Sequence, residues 1–181
     1  MSEQAVLEDI APILVEFRDG RRVSIRAIRP DDREEFRETF THLSFETRYN
    51  RFMSAIKELP RDVLERAVNP VAGRELALVA IVGEGADGEI AGGARYFVEP
   101  GATTCEFGIT LADDWHRVGL ASRLMKELIE SARAHGLKRM EGLVLATNSP
   151  MLNLARRLGF EVTLSTEGPT VKLVWLDLDS D

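Results

Sequence analysis

Residues 104–122, TCEFGITLADDWHRVGLAS, combine a strand, a turn and the start of a helix, and they decide the fold. Side chains alternate along the strand Thr104–Leu111, so successive residues face opposite sides of a sheet. One side is apolar and predicts a core face, formed by Cys105, Phe107, Ile109 and Leu111. The other side carries Thr104, Glu106, Gly108 and Thr110. A carboxylate in this setting indicates a polar cleft, although an exposed glutamate on the solvent face of an antiparallel sheet fits the same pattern.

The second half of this stretch, Trp115–Ser122, leads from the strand into a long helix. Backbone N–H groups at a helix start lack intrahelical partners, carry partial positive charge and can bind an anion. Gly119 permits close approach of the backbone to a ligand, and Ala121 keeps the first turn narrow. The segment therefore predicts an anion site, and a helix start without a ligand is the alternative.

Turn residues, caps and periodicity divide the rest of the chain into elements. Two strands, Ile13–Arg18 and Val23–Arg29, flank the turn Asp19-Gly20. After them come three helices and two strands: Arg33–Leu43, Ser44–Ser54, Arg61–Val68, Glu75–Val82 and Glu89–Val98. Beyond residue 111 we expect Gly119–His135 (helix), Arg139–Ala146 (strand), Asn148–Leu158 (helix), and the strands Glu161–Ser165 and Val171–Leu176. Hairpins followed by a strand–helix–strand unit predict an α/β (α+β) fold, with a mixed, mostly antiparallel central sheet flanked by helices.

Length and composition limit the function classes. The 181 residues suit one domain, 1–181, with a loose tail over 1–10. The net charge of -7 argues against nucleic-acid binding and is compatible with cationic substrates, although solubility alone also explains it. No apolar run reaches the ~18 residues of a membrane helix, and the acidic start lacks a signal-peptide pattern, so we expect a cytoplasmic protein that binds no membrane.

Metal and disulfide chemistry are not expected. Cys105 is the only cysteine, which leaves no intrachain disulfide and no thiolate cluster. The three histidines, His42, His116 and His135, lack metal-ligand spacing.

Two motifs resemble the GNAT superfamily of N-acetyltransferases. His116-Arg117-Val118-Gly119-Leu120-Ala121 is similar to that family's acetyl-CoA motif, Gln/Arg-x-x-Gly-x-Gly/Ala, with His in the first position. The segment 148–160, NSPMLNLARRLGF, is similar to its later motif, Asn-x-x-Ala-x-x-Leu-Tyr-x-x-x-Gly-Phe. Ala155 stands at the tyrosine position, which excludes the tyrosine acid that many members use.

One branch of the family matches further. The segments Arg26–Asp32 and Leu43–Phe52 resemble the acetyltransferase domain of bacterial protein lysine acetyltransferases. The resemblance covers roughly residues 23–165, and it implies a GNAT fold and transfer of acetyl from acetyl-CoA to a protein lysine, with no metal.

The resemblance also implies site residues. Glu106 matches the branch's catalytic glutamate and is expected to be the general base. The cofactor-binding residues would be Ile109, Thr110 and Leu111 along the pantetheine arm, Arg117, Val118, Gly119, Leu120, Ala121 and Ser122 at the pyrophosphate, and Asn148 and Asn153 by hydrogen bonds. His116 is expected to start the helix rather than carry a proton. Cys105 is expected to be a core residue rather than a nucleophile.

Several alternatives stay open at this point. The acceptor could be a small amine (a polyamine, amino acid or antibiotic), or the chain could be a catalytically weak acetyl-CoA-binding regulatory protein. Arg48, Tyr49 and Arg51 either line a substrate groove or hold a helix on the sheet. The chain is expected to be a monomer or a homodimer, the latter through an edge strand at Val171–Leu176.

Overall fold

The computed structural model describes residues 10–83 and 88–179. All but the last residue of the predicted tail 1–10 lies outside this range, as do residues 84–87 between the predicted strands Glu75–Val82 and Glu89–Val98. The order of helices and strands predicted from the sequence is confirmed. The strands are β1 (Ile13–Glu16), β2 (Arg22–Ala27), β3 (Glu75–Val82), β4 (Glu89–Val98), β5 (Thr104–Leu111), β6 (Arg139–Leu145), β7 (Glu161–Leu164) and β8 (Val171–Asp177). The helices are α1 (Arg33–His42), α2 (Phe45–Phe52), α3 (Arg61–Val68), α4 (Leu120–Ala134) and α5 (Ser149–Arg157), and short 3-10 turns span Pro30–Asp32 and Asp113–Trp115.

Caps and glycines set several helix ends where the sequence predicts them. The Ser44 hydroxyl accepts a 3.1 Å hydrogen bond from the Thr47 N–H at the start of α2. Asn148 caps α5 in the same way, through a 3.3 Å bond from the Met151 N–H. Gly136 and Gly159 follow α4 and α5 with φ of 72° and 91°, a conformation that glycine adopts without steric cost.

The strands form one sheet in the order β1-β2-β3-β4-β5-β6-β8-β7. Only β5 and β6 pair in parallel, and the other neighbours are antiparallel, as expected for a mixed sheet. The prediction that Val171–Leu176 is an edge strand is wrong. This strand, β8, lies between β6 and β7, because β6 pairs with it along seven residues and the short β7 closes the edge.

Helices cover both faces of the sheet. On one face α4 and α5 bury the larger core, and Leu120, Leu124 and Leu128 of α4 are each 0% exposed, as the four-residue period predicts. Each fully buried leucine contributes about 1.5–3 kcal/mol relative to an exposed one. On the other face α1–α3 cover a smaller core built on Ala77 and Val79 of β3. The two faces of β5 agree with this arrangement. Cys105, on the face of the larger core, is 0% exposed, and Glu106, on the opposite face, is exposed.

A search of the described helices for membrane spans found none that is long and apolar enough to cross a bilayer.

Candidate active site

Strands β5 and β6 pair over three residues and then separate. Thr104, Cys105 and Glu106 lie beside Arg139, Met140 and Glu141, and the described register ends there. The Phe107 ring lies against Gly142, where an added Cβ would come within 2.7 Å of Phe107 Cε1. Beyond Glu106, the backbone groups of β5 that face β6, including those at Ile109–Leu111, pair with no strand on that side among the described residues. This gap is where the resemblance places the pantetheine arm.

The segments that follow β5 and β6 meet at one edge of the sheet, because the carboxyl ends of parallel strands lie at the same edge. Ala112–Gly119 follows β5 and leads into α4, and Ala146–Asn148 follows β6 and leads into α5. The sheet therefore brings together two of the motifs predicted to bind the cofactor.

The start of α4 offers unpaired N–H groups to a ligand. Gly119 precedes the helix with φ of 99° and without a side-chain cap, and the first turn holds no acidic residue. Within the described chain, no acceptor takes a hydrogen bond from the N–H groups of Leu120, Ala121 and Ser122. Arg117 is exposed and has a φ of 63°, a strained value for a residue other than glycine. These features fit the diphosphate of acetyl-CoA.

Two residues predicted to contact the cofactor lie on α5 or at its start. Asn148 uses its Oδ1 to cap the helix, which leaves its Nδ2 as a donor. Asn153 is exposed and accepts a 3.3 Å hydrogen bond from Arg156 Nη1. Ala155 is 1% exposed, so the position of the family tyrosine belongs to the core in this chain.

Glu106 occupies the last paired position before the gap. Its side chain is exposed, and it forms no hydrogen bond or ion pair with another described residue. Glu141 lies opposite Glu106 on the same face, and its carboxylate accepts a 3.0 Å bond from Arg139 Nε. Sequence reasoning missed Glu141, since nothing in the local pattern indicates that these two strands pair in this register.

A cavity of about 120 Å³ lies on the same face as Glu106, between the sheet and helices α1–α3. Its walls are mostly apolar, with Phe36, Phe40 and Phe52 from the helices and Gly93, Gly108 and Ala77 from the sheet. Of Arg48, Tyr49 and Arg51, for which the sequence allowed either a substrate groove or a structural role, Arg51 lines this cavity. Arg48 instead donates a 3.0 Å bond to the Lys57 carbonyl oxygen, and Tyr49 stacks on Phe45 at the surface.

Asp113, which no sequence pattern indicated as a site residue, connects the start of α2 with the segment that leads into α4. Its carboxylate accepts hydrogen bonds from the Ser44 N–H (2.7 Å), the Ser44 hydroxyl (2.8 Å) and the Thr47 hydroxyl (2.6 Å). Burial alone would raise the pKa of this carboxyl, and the hydrogen bonds from Thr47 and Ser44 outweigh burial and lower it. The start of α2 is thus fixed to the segment that leads into α4.

Cys105 lies in the core, as expected from its face of β5. Its side chain is on the core face, opposite Glu106, and burial raises the pKa of the thiol to about 12. His116 is exposed and lies just after the 3-10 turn Asp113–Trp115. Within residues 10–83 and 88–179, no group of three or more His, Cys, Asp or Glu side chains is placed to hold a metal.

Comparison with known proteins gives a family and several relatives. A family model described as acetyltransferase (GNAT) family matches residues 25–160. A protein of Pseudomonas aeruginosa named only as an acetyltransferase is 38% identical over 144 residues, which are 78% of this chain and 76% of that protein. The acetyltransferase Pat of Mycolicibacterium smegmatis is 34% identical over 88% of this chain, and the match spans 47% of Pat, about half of its length.

A third relative carries a more specific name. The L-methionine sulfoximine/L-methionine sulfone acetyltransferase of Pseudomonas paraeruginosa is 34% identical over 67% of this chain and 73% of that protein. Among solved structures, the GNAT domain of S. lividans PAT superposes with a TM-score of 0.84 at 24% identity, over 92% of this chain and 96% of that domain. This likeness shows the fold.

Proposed function

Because this chain belongs to the acetyltransferase (GNAT) family and is therefore an acetyl-CoA-dependent N-acetyltransferase, we propose that it acetylates lysine side chains of proteins with Glu106 as the general base. The observation that carries the proposal is the position of Glu106. It lies at the point where β5 and β6 separate, on the face of the sheet that also holds the cavity under α1–α3.

The environment of Glu106 supports a role in proton transfer. The carboxylate is exposed to solvent, and no described residue occupies it with a hydrogen bond. A lysine amine with a pKa of ~10.4 is protonated at pH 7, and removing its proton costs about 4–5 kcal/mol. Glu106 accepts this proton, directly or through one water, and the neutral amine becomes the nucleophile.

Acetyl-CoA supplies the acetyl group as a thioester. The N–H groups at the start of α4 and Asn148 hold the nucleotide and diphosphate part, and the β5 backbone at Ile109–Leu111 orients the arm. A backbone N–H near Ile109 stabilises the negative charge that develops on the acetyl oxygen. Ala155 has no proton to give to the departing sulfur, so this chain does not use an acid at that position.

A small-amine acceptor is the second candidate. The relative named for L-methionine sulfoximine and L-methionine sulfone favours it, since that protein has the same 34% identity to this chain as Pat, over 67% of the chain compared with 88% for Pat. A panel of amino acids, polyamines and aminoglycosides, assayed by release of the CoA thiol, tests this candidate directly.

The test of the first candidate uses the pure protein, acetyl-CoA and a lysate of its host, with new acetyl-lysines counted by mass spectrometry. Two variants serve as controls. Glu106→Gln removes the proposed base, and Glu130→Gln removes an exposed carboxylate of α4 that lies ten residues after Leu120, the first residue of that helix. We expect new sites with the wild type and Glu130→Gln, and none above background with Glu106→Gln.

Two other results would each contradict one part of the proposal. Equal numbers of sites with all three proteins would remove Glu106 as the base. An absence of new lysine sites, together with CoA release from the small-amine panel, would replace the protein acceptor by a small amine.

A further inference from the structure

Arg51 projects from the last turn of α2 onto Gly108 of β5. An added Cβ at residue 108 would lie 2.6 Å from Arg51 Nη2 and 2.7 Å from Arg51 Cζ. The guanidinium therefore fills the space that any other residue at 108 would need for its side chain. Because Gly108 and Glu106 are two residues apart on one strand, the guanidinium lies on the same face of the sheet as the proposed base.

The charge of Arg51 has an aromatic ring and the charge of Glu106 nearby, but no hydrogen-bonded or ion-paired partner in the described part of the chain. None of those residues accepts a hydrogen bond from its guanidinium or forms an ion pair with it. Two other arginines do have such partners: Arg95 forms a 3.0 Å ion pair with Glu75, and Arg48 donates a hydrogen bond to a backbone oxygen. Burial lowers the pKa of Arg51, the like charge of Arg95 lowers it further, and Glu106 acts in the opposite direction.

The surroundings of Arg51 raise the free-energy cost of keeping its charge there without a hydrogen-bonded partner, which argues against a purely structural role. The cavity beside it is lined mainly by apolar side chains, and Arg51 Cζ lies 5.1 Å from the centroid of the Phe52 ring, a cation–π contact that offsets part of the cost of removing the charge from water. A partly desolvated cation without a hydrogen-bonded partner costs free energy, whereas the same cation binds a carboxylate strongly and with defined geometry.

We propose that Arg51 binds a carboxylate of the acetyl acceptor, so that the acceptor carries a carboxylate close to the amine that reaches Glu106. The inference rests on the proposed function only in requiring an amine acceptor next to Glu106. Residues two apart on a strand are separated by about 6.6 Å along the backbone, so one acceptor can reach both Glu106 and the guanidinium above Gly108. Two acceptors supply this chemistry: a free α-amino acid, or a protein lysine beside an acidic residue.

The experiment compares matched acceptors that differ only in the carboxylate. The first arm uses L-leucine, L-methionine and L-lysine with their carboxamides. The second arm uses lysine peptides with Asp or with Asn next to the lysine. The ratio kcat/KM is measured for the wild type, Arg51→Gln, Arg51→Lys and Arg66→Gln, the last removing an exposed arginine of α3.

We expect the wild type to prefer the carboxylate member of one pair by at least about tenfold, since a charged hydrogen-bonded pair is lost with the carboxamide. In Arg51→Gln this preference falls to about one, because the rate falls on the carboxylate and stays on the carboxamide. Arg51→Lys is intermediate, and Arg66→Gln behaves as the wild type. The arm in which the preference occurs identifies the source of the carboxylate.

Two kinetic results would overturn the inference. The first is a wild type without preference in either arm. The second is an Arg51→Gln variant that loses the same factor on both members of a pair, which is the result of a structural role.

A binding measurement decides the inference even if no acceptor is acetylated. N-acetyl-L-leucine and N-acetyl-L-leucinamide are titrated by calorimetry into the wild type and Arg51→Gln in the presence of CoA. Tighter binding of the acid, lost in Arg51→Gln, supports Arg51 while the acceptor assignment of the proposed function fails. If no acceptor of either arm is acetylated, equal binding or no binding of the two probes overturns the role of Arg51.

Discussion

Thr47 and Asp113 are 66 residues apart in the chain and are joined by a 2.6 Å hydrogen bond from Thr47 Oγ1 to Asp113 Oδ1. The same carboxylate holds the N–H and the hydroxyl of Ser44, the residue that caps α2. Since α2 carries Arg51 and Asp113 lies in the segment before α4, this contact connects the helix of the proposed carboxylate site to the segment of the proposed diphosphate site.

The first prediction concerns this contact. Asp113→Ala leaves the Ser44 N–H and two hydroxyl groups without their acceptor, and we expect a loss of about 1–3 kcal/mol in the free energy of unfolding. We also expect KM for the acceptor to rise more than KM for acetyl-CoA, because α2 is the element released. Denaturant unfolding and steady-state kinetics measure both effects. Asp114→Ala is the control, since that side chain forms no contact with α2, and an equal loss in both variants would contradict the assignment.

The second prediction is a pH dependence of the same contact. The pKa of Asp113 is lower in the folded protein than its ordinary value, because the hydrogen bonds from Thr47 and Ser44 outweigh burial. The stabilisation is therefore complete above the unfolded pKa of about 3.9 and is lost as the pH falls through the folded pKa. We expect the gap in unfolding free energy between the wild type and Asp113→Asn to narrow below about pH 4. A gap that stays constant from pH 7 to pH 3 would argue against it.

The third prediction concerns catalysis. Glu106→Gln keeps the shape of the side chain and removes its ability to accept a proton, so kcat should fall by about 10²–10⁴-fold. The affinity for acetyl-CoA should stay within about twofold, because Glu106 lies outside the proposed diphosphate site at the start of α4. Steady-state rates and calorimetry with acetyl-CoA separate the two quantities. A fall in affinity as large as the fall in kcat would make Glu106 a binding residue.

The fourth prediction uses two glycines in the same backbone conformation. Gly119 and Gly136 have φ of 99° and 72°, and an added Cβ meets only ordinary contacts at the first and nothing within 4 Å at the second. Substitution by alanine should cost about 1–2 kcal/mol of stability at either position, through the left-handed backbone alone. Only Gly119→Ala should weaken acetyl-CoA binding, because Gly119 lies at the start of α4, where we propose that the diphosphate binds, and Gly136 lies beyond the other end. Equal acetyl-CoA affinity in the two variants would remove that segment from the cofactor site.

The fifth prediction tests direct transfer of the acetyl group. With a thiol pKa of about 12, Cys105 is almost entirely protonated at pH 8, and it is 0% exposed. We expect no reaction with a maleimide until the protein is unfolded, and Cys105→Ala should retain acetyl transfer. Loss of turnover in a folded Cys105→Ala variant, or a stable acetyl-thioester on Cys105, would show a covalent route instead.

Local sequence patterns predicted most of the helices and strands. The bounds of α3, β3, β4 and β5 agree with the prediction residue for residue, and the remaining elements differ by one or two residues at one or both ends. These elements are set by alternation, by a helical period and by capping residues such as Ser44 and Asn148, all of which act within a few residues of the chain.

The pairing of strands that are distant in the chain was harder to predict from the sequence. The sequence indicated a mixed sheet, yet it did not reveal that β5 and β6 separate after Glu106 or that β8 lies inside the sheet. Strand order depends on which surfaces pack best across the whole molecule, and residues that follow one another in the chain give little information about it.

The sequence alone determined the elements, the core faces of β5 and α4, and the motifs that mark the family, because each follows from residues close together in the chain. Only the tertiary structure decided which side chains share the site: Glu141 beside Glu106, Asp113 on Ser44 and Thr47, and Arg51 over Gly108. These contacts join segments 35 to 69 residues apart. They exist because packing of α2 and pairing of β5 with β6 bring those segments together, and no local pattern encodes that approach.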